Sequence, residues 1–265
     1  MKIHIWGCLS GTEPMPGKHH TSWALEKDGF FWWFDAGENC ARTAHLQGYD
    51  VRKIKKLFIS HSHGDHTAGL YHLFMTMSKL NSLDCRYDDS ISVPPTEFEC
   101  IVPDPEIVEL NKKILFFLTS EERSSLKIGV RQTQPGVLTD ADGVFVECIR
   151  NHHIEPLSDG RGASYSFRIK AEGKTIIASC DVRSSDDLAP FLEEGCDILL
   201  METGHHSAPR LCQVWKERNY KIGKVVFIHH GREILKDPAD VAGRCAINRG
   251  EPVIIAHDGM ELELS

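Results

Sequence analysis

Residues 60–66 read Ser-His-Ser-His-Gly-Asp-His, which brings His61, His63, Asp65 and His66 within six positions. The run before them, Lys56-Leu-Phe-Ile-Ser60, is short, apolar and of strand type. Ligand-type side chains at the C-terminal mouth of a buried strand are where α/β proteins place their chemistry. Imidazoles suit zinc, manganese and iron, and an added carboxylate hardens the site toward hydrolytic metals. On an extended or turning backbone His61, His63 and Asp65 share one parity, and a turn frees His66. Four such groups this close can supply two neighbouring cations. The bland alternative, a polar loop rich in histidine, does not account for their order after a strand.

The rest of the chain must provide a fold with such a strand mouth. At 265 residues one large domain, 1–265, is expected. Short strands alternate with amphipathic helices, an α/β pattern. Strands are expected at 2–6, 21–27, 29–34, 55–59, 143–149, 163–171, 174–179, 224–228 and 252–256. Helices are expected at 39–48, 67–80, 184–194 and 207–219. Asp28-Gly29 should turn a hairpin. Residues 81–97 read as loop and 104–127 as two short helices. Phe30–Glu38 and Thr175–Arg183 are both apolar strands ending in an aspartate, as two related halves would give.

A net charge of −8 excludes a surface that is basic throughout, so a nucleic-acid substrate would need a local basic patch. The run Arg52-Lys-Ile-Lys-Lys56 reads better as a solvated lead-in to a buried strand than as that patch. Nine cysteines, with no Cys-x-x-Cys, fit reduced thiols in a cytoplasmic protein. The opening Met1-Lys-Ile-His-Ile-Trp has no signal-peptide character, and no apolar run has membrane-helix length. A cytoplasmic protein with no membrane partner is the expectation.

The His-x-His-x-Asp-His run resembles the metal motif of the metallo-β-lactamase fold hydrolases, in the branch around ribonuclease Z and related phosphodiesterases. Phe34-Asp35-Ala36-Gly37-Glu38 is similar to that branch's strand-ending Asp-x-Gly-Glu, and Gly64-Asp65-His66-x-x-Gly69-Leu70 continues as it does. The likeness runs in order from Gly11-Thr12 to Asp258-Gly259. It implies a four-layer αββα sandwich, two mixed sheets with outer helices. It also implies two divalent metal ions, zinc first and manganese or iron as alternatives. His61, His63 and His153 would bind one, Asp65, His66 and His229 the other, with Asp181 bridging. His152 rivals His153, and His230 rivals His229. Cys180 stands where the family usually has glycine, and its side chain should point away from Asp181. Asp35 would hold a ligand histidine through its second nitrogen, and Glu38 would sit beneath the site or cap the next helix. His206 would be the phosphate contact and general acid, with Glu202 supporting it and His205 as the rival; Asp65 counts with them as catalytic. His257 would line the pocket or cap the closing strand.

The implied activity is a di-metal phosphodiesterase acting on a small or short phosphodiester by attack of a bridging hydroxide. Hydrolysis of a carboxylic ester, lactone, thioester or sulfate is the alternative, and a metal-binding protein without turnover a third. Residues 154–180, between His153 and Asp181, leave no room for the glycine- and proline-rich arm with which bacterial ribonuclease Z grips tRNA. An insertion at about 81–135 carries Asp84, Asp88, Asp89, Glu97, Glu99, Asp104 and Glu106. Acidic groups repel a phosphate backbone. On this ground tRNA is set aside as a partner, and the insertion is expected to form a lid or a homodimer contact.

Overall fold

The computed structural model describes residues 1–84, 96–117, 125–158 and 161–264. Its strands are β1 (Lys2–Gly7), β2 (Ser22–Lys27), β3 (Phe30–Phe34), β4 (Ile54–Phe58), β5 (Thr96–Val102), β6 (Leu126–Gln132), β7 (Gly136–Ala141), β8 (Val144–Asn151), β9 (Ser164–Ala171), β10 (Lys174–Ala178), β11 (Cys196–Thr203), β12 (Ile222–His230), β13 (Ile254–Ile255) and β14 (Met260–Glu263). The helices are α1 (Cys40–Leu46), α2 (Gly64–Thr67), α3 (Leu70–Asp84), α4 (Pro105–Leu115), α5 (Ala189–Leu192), α6 (Ala208–Glu217), α7 (Arg232–Lys236) and α8 (Pro238–Arg249). They divide into two compact units. One comprises Met1–Gly7, His19–Thr133 and Asp258–Ser265; the other comprises Cys8–Lys18 and Gln134–His257.

The first unit holds a seven-stranded mixed sheet in the order β14-β1-β2-β3-β4-β5-β6. Its β14-to-β3 half is antiparallel and its β3-to-β6 half parallel. Asp28 and Gly29 both have positive φ, 53° and 75°, and so make the expected hairpin between β2 and β3. Strand β3, Phe-Phe-Trp-Trp-Phe, is apolar on both faces, as a strand inside a covered sheet must be. Trp33, Leu57, Leu70, Leu73, Phe74, Met77 and Val108 belong to one buried cluster, which seats α3 and α4 on this sheet.

The second unit repeats the plan in the order β13-β12-β11-β10-β9-β8-β7, with β10 to β13 parallel and β7 to β10 antiparallel. Its cluster joins Ile177, Leu199, Met201 and Phe227 of the strands to Leu211, Trp215, Val241 and Cys245 of α6 and α8. Asp237 caps α8 by accepting from the Asp240 backbone N–H, and Gly250, at φ 88°, ends it.

Several elements differ from the sequence reading. The helix expected over 67–80 is two, α2 and α3, the second running to Asp84. Strands β5, β6, β7 and β11 and helix α8 are additions to it. The stretch 81–135 is in large part sheet and helix: β5, α4 and β6 extend the first sheet. Glu97 and Glu99 are strand residues of β5, and Glu99 accepts from Lys56 Nζ at 2.8 Å and Arg131 Nε at 2.9 Å. The second helix expected within 104–127 falls on 118–124, and parts of the expected lid or dimer contact fall on 85–95 and 118–124; these lie outside the described residues. Lys55 covers the Phe30 ring at 4.3 Å and Arg52 pairs with Asp50, so the basic run does serve locally as a solvated strand lead-in. No described helix is long and apolar enough to cross a membrane.

Candidate metal centre

In the first unit the constellation grows from the ends of β3 and β4. Immediately after β3, Asp35 adopts the left-handed conformation, φ 55°, which a non-glycine residue holds only where its surroundings enforce it. Those surroundings are hydrogen bonds. Asp35 Oδ1 accepts from Ser60 N at 2.7 Å, and Oδ2 from Ser60 Oγ and His66 Nδ1, each at 2.9 Å. A histidine that gives its Nδ1–H to a carboxylate presents a lone pair on Nε2, the form that binds metal. The next turns lock α2 in place. Ala36 N donates to His66 O, Gly69 N donates to Ala36 O, and a Cβ on Gly37 would lie 2.7 Å from the Asp65 carbonyl.

The four residues of the motif converge. His61 Nε2 stands 3.1 Å from His63 Nδ1, and His66 Nε2 3.5 Å from Asp65 Oδ2. Two ring nitrogens that share a zinc ion at ordinary bond lengths and tetrahedral angles lie about 3.3 Å apart.

In the second unit each contributing side chain follows a different strand. His153 lies just past β8, its backbone N–H held by Asn151 Oδ1 at 3.1 Å. Asp181 follows β10, after Cys180 at φ 48°. It shows one oxygen to each neighbour: Oδ2 is 3.6 Å from His153 Nε2, and Oδ1 is 3.2 Å from His229 Nε2. His229, at φ 50°, sits at a register shift between β11 and β12. A Cβ on Gly204 would come within 2.7 Å of its Nδ1, so only glycine leaves that ring its place.

Glu202, buried in β11, gathers the rest. It accepts from His205 N and from His205 Nδ1, both at 3.0 Å, and lies 3.8 Å from His229 Nδ1. Burial alone would raise the Glu202 pKa, but the hydrogen bond from His205 and the nearby His229 ring outweigh it and hold the carboxyl well below the usual range. The same bond from Glu202 raises the His205 pKa against partial burial.

The structure separates the adjacent histidine pairs. His152 Nδ1 is 2.6 Å from Asp187, and the side chain is largely exposed, whereas His153 faces Asp181. His230 is buried with Nε2 2.8 Å from the Ala256 carbonyl, and burial lowers its pKa to about 4, so it stays neutral. The two members of the third pair are also placed differently. His205 has its ring 4.9 Å from that of His153 and its Nδ1 3.9 Å from Asp181 Oδ2. His206 Nε2 instead bonds the Val182 carbonyl at 2.9 Å and stands 3.4 Å from Glu202. The reason is the parity of neighbouring residues: consecutive side chains leave the backbone on different sides. Asn39, not Glu38, is the residue preceding α1, and Glu38 lies 3.7 Å from His20 Nδ1. His257 is exposed. Ser60 and Asn151 are supports that the sequence reading missed; each directly precedes a ligand-type histidine or histidine pair, the one signal the sequence offers.

The donors are all imidazole nitrogen or carboxylate oxygen, the set that zinc, manganese and iron share. Ring nitrogens converge in the first unit, and a buried carboxylate is split between two histidines in the second. These residues therefore fit divalent cations.

Comparisons with known proteins agree with this geometry. Residues 1–85 match the family model described as anti-Pycsar protein Apyc1. Ribonuclease Z of Treponema pallidum is 33% identical over 157 residues, 59% of this chain and 46% of that protein. The chain thus spans about half the length of the curated relatives it first matches. Ribonuclease Z of Archaeoglobus fulgidus is 24% identical across 100% of this chain and 98% of its own. Among solved structures, the metallo-β-lactamase fold protein YhfI from Bacillus subtilis superimposes with a TM-score of 0.73 at 19% identity, covering 98% of both chains. Human tRNase Z, short form, gives 0.67 at 18% identity over 100% of both. Zinc-bound PqqB from Methylobacterium extorquens gives 0.66 at 15% identity over 100% of both. The expectation that set tRNA aside is corrected by these likenesses, since the matching sequences are ribonuclease Z and a matching structure is a tRNase Z. The missing arm and the acid count of 81–135 were too weak a ground, the more so as Glu99 is paired within the sheet.

Proposed function

We propose that this chain, which has the metallo-β-lactamase fold and a ribonuclease Z-like sequence, is a metal-dependent hydrolase of phosphodiesters. His61, His63, Asp65 and His66 of the first unit and His153, Asp181 and His229 of the second would hold divalent cations, zinc before manganese or iron. When bound, such ions neutralise charge on phosphoryl oxygens and acidify water. Asp35 would keep His66 in the tautomer that presents the Nε2 lone pair for ligation. His205 is our choice for general acid. With Nδ1–H committed to Glu202, the protonated ring offers Nε2–H to the departing oxygen. Glu202 orients the ring and stabilises its charged form.

The observation that carries this reading is the Glu202–His205 pair beside Asp181, a buried carboxylate holding a histidine that is itself 44% exposed. Elemental analysis tests the ligands, with two ions per chain expected after reconstitution with zinc or manganese. Turnover of bis(p-nitrophenyl) phosphate against p-nitrophenyl acetate, with and without a chelator, tests the chemistry. Chelator-sensitive cleavage of the phosphodiester is expected to exceed that of the acetate. Metal below one ion per chain, or a preference for the acetate, overturns the reading. A short oligonucleotide, a cyclic nucleotide and a 3′-extended precursor tRNA then define the substrate.

A further inference from the structure

Two residues beyond Asp181 the chain turns through Arg183, Ser184 and Asp186, and this turn faces α6. Together with His206, Arg210 and Arg218 it lines a cleft of about 290 Å³. Arg210 and Arg218 are eight residues apart on or just past α6, so their backbones are separated by roughly 12 Å along the helix. The backbones that carry these two cations are thus spaced along one wall of the cleft rather than gathered at one point. That distribution matches a chain of phosphates better than a single free anion.

The charges here are only partly spent. Arg218 pairs with Asp186 at 2.7 Å. Arg183 reaches Glu155 only at 3.8 Å with both side chains mostly exposed, a contact of little worth. Among the described residues no carboxylate pairs with Arg210. The cleft's walls therefore carry three guanidinium groups against the single carboxylate of Asp186. The N-terminal end of α6, a helix of 10 residues beginning just after Ser207, adds partial positive charge. His206 also lines the cleft, and its chain neighbour is His205, the residue assigned to the leaving group. A net charge of −8 makes a local basic cleft the more distinctive.

We infer that this cleft is a second phosphate subsite, which binds the phosphate adjoining the scissile one, so that the preferred substrate is an oligonucleotide strand rather than an isolated phosphodiester. This rests on the proposed hydrolase reading for its place in catalysis, but binding can be tested without turnover. The probe is a labelled, 5′-phosphorylated thymidine trinucleotide, titrated by fluorescence anisotropy into metal-stripped protein. The double variant Arg183→Gln/Arg210→Gln should bind it about tenfold more weakly, and the slope of log affinity against log salt should fall by roughly one to two. Arg183→Lys/Arg210→Lys should recover most of the affinity, which separates charge from damage to the fold. Inorganic phosphate should compete no better than chloride of equal ionic strength. Unchanged trinucleotide binding in the Gln variant overturns the subsite, as does phosphate that binds as tightly as the trinucleotide, which would make it a free-anion site. With metals restored, the ratio of kcat/KM for the trinucleotide to that for bis(p-nitrophenyl) phosphate should fall about tenfold in the Gln variant. An equal loss on both substrates would overturn the assignment. If neither substrate is cleaved by the unaltered protein, the hydrolase reading fails while the anisotropy result still decides the cleft.

Discussion

Asp35 in the first unit and Glu202 in the second are both buried strand-end carboxylates that hold a histidine, yet they hold it in different surroundings. Asp35 accepts three bonds, and the ring it fixes, His66, is 0% exposed. Glu202 accepts from the backbone and ring of His205, which is 44% exposed. One pairing, in a dry setting, fixes the ring and turns Nε2 away from the carboxylate that holds it. The same pairing at a half-open position favours the charged form of a ring that solvent can reach. Under the proposed roles, the difference between a metal-holding histidine and a proton-donating one is a difference in solvent access, with the partner carboxylate unchanged in kind.

The sharpest way to break this comparison is to delete each ring's role in turn. His205→Ala should retain the metals and lower turnover of an unactivated phosphodiester by roughly 10²–10⁴-fold, the range for a lost general acid. His206→Ala should have a far smaller effect. It forfeits a bond to the Val182 carbonyl, of the order of 0.5–1.5 kcal/mol in stability. Parallel steady-state rates and metal analysis of the two variants decide. The opposite ranking would move the acid to His206.

Asp35→Ala attacks the first unit. It strands the Ser60 N–H, the Ser60 hydroxyl and the His66 ring in a buried setting. Leaving buried donors unpaired costs about 1–3 kcal/mol each. Urea unfolding should show that loss, together with weaker metal retention. Wild-type stability would mean that the bonds to Asp35 are replaceable by water. Glu202→Gln should be milder. It keeps the shape but not the charge, and turnover is expected to fall by roughly 10–100-fold, as for other outer-shell partners. If Glu202→Gln matched His205→Ala, the carboxylate would be doing more than orienting the ring.

The two units also differ in how much of each a sequence discloses. The first unit's candidate ligands lie on one loop after one strand, so residue type and spacing suffice to single out His61, His63, Asp65 and His66. The second unit's candidates follow four strands, and each histidine arrives with a histidine neighbour. Choosing within a pair requires knowing the parity at the strand end, and that parity is disturbed. The β11–β12 register shifts at His229, whose φ is positive, so counting alternate residues fails just where it is needed. The family resemblance points to His153 and His229, which face Asp181. It points to His206 where His205 has the shorter bond to Glu202. Strand β11, Cys-Asp-Ile-Leu-Leu-Met-Glu-Thr, escapes a search for alternation because a central parallel strand is apolar on both faces. Strand β5 is hidden by the opposite error. Glu97 and Glu99 read as the charge of an insertion, although they alternate with Phe98 and Cys100 as strand residues do.

The smallest effect is expected at Glu99, a carboxylate that lacks the burial of Asp35. It lies between Lys56 and Arg131 with 29% of its side chain exposed. Partial burial raises its pKa, but hydrogen bonds from Arg131 and Lys56 prevail, and the net shift is downward. A carboxyl depressed by folding stabilises the protein above its unfolded pKa of about 4.3 and loses that contribution as pH falls through the folded value. Glu99→Gln should therefore cost at most about 1 kcal/mol at neutral pH, the range of exposed pairs. The gap between wild type and variant should narrow as pH falls through the depressed folded pKa of Glu99 and the carboxyl takes up its proton. It should also narrow in roughly 1 M salt, which screens charges within about 3 Å. Urea midpoints of the two proteins across pH and salt give the answer. A gap that survives both acid and salt would show that Glu99 acts through packing on β5, and would place it nearer to Asp35 in kind than its exposure implies.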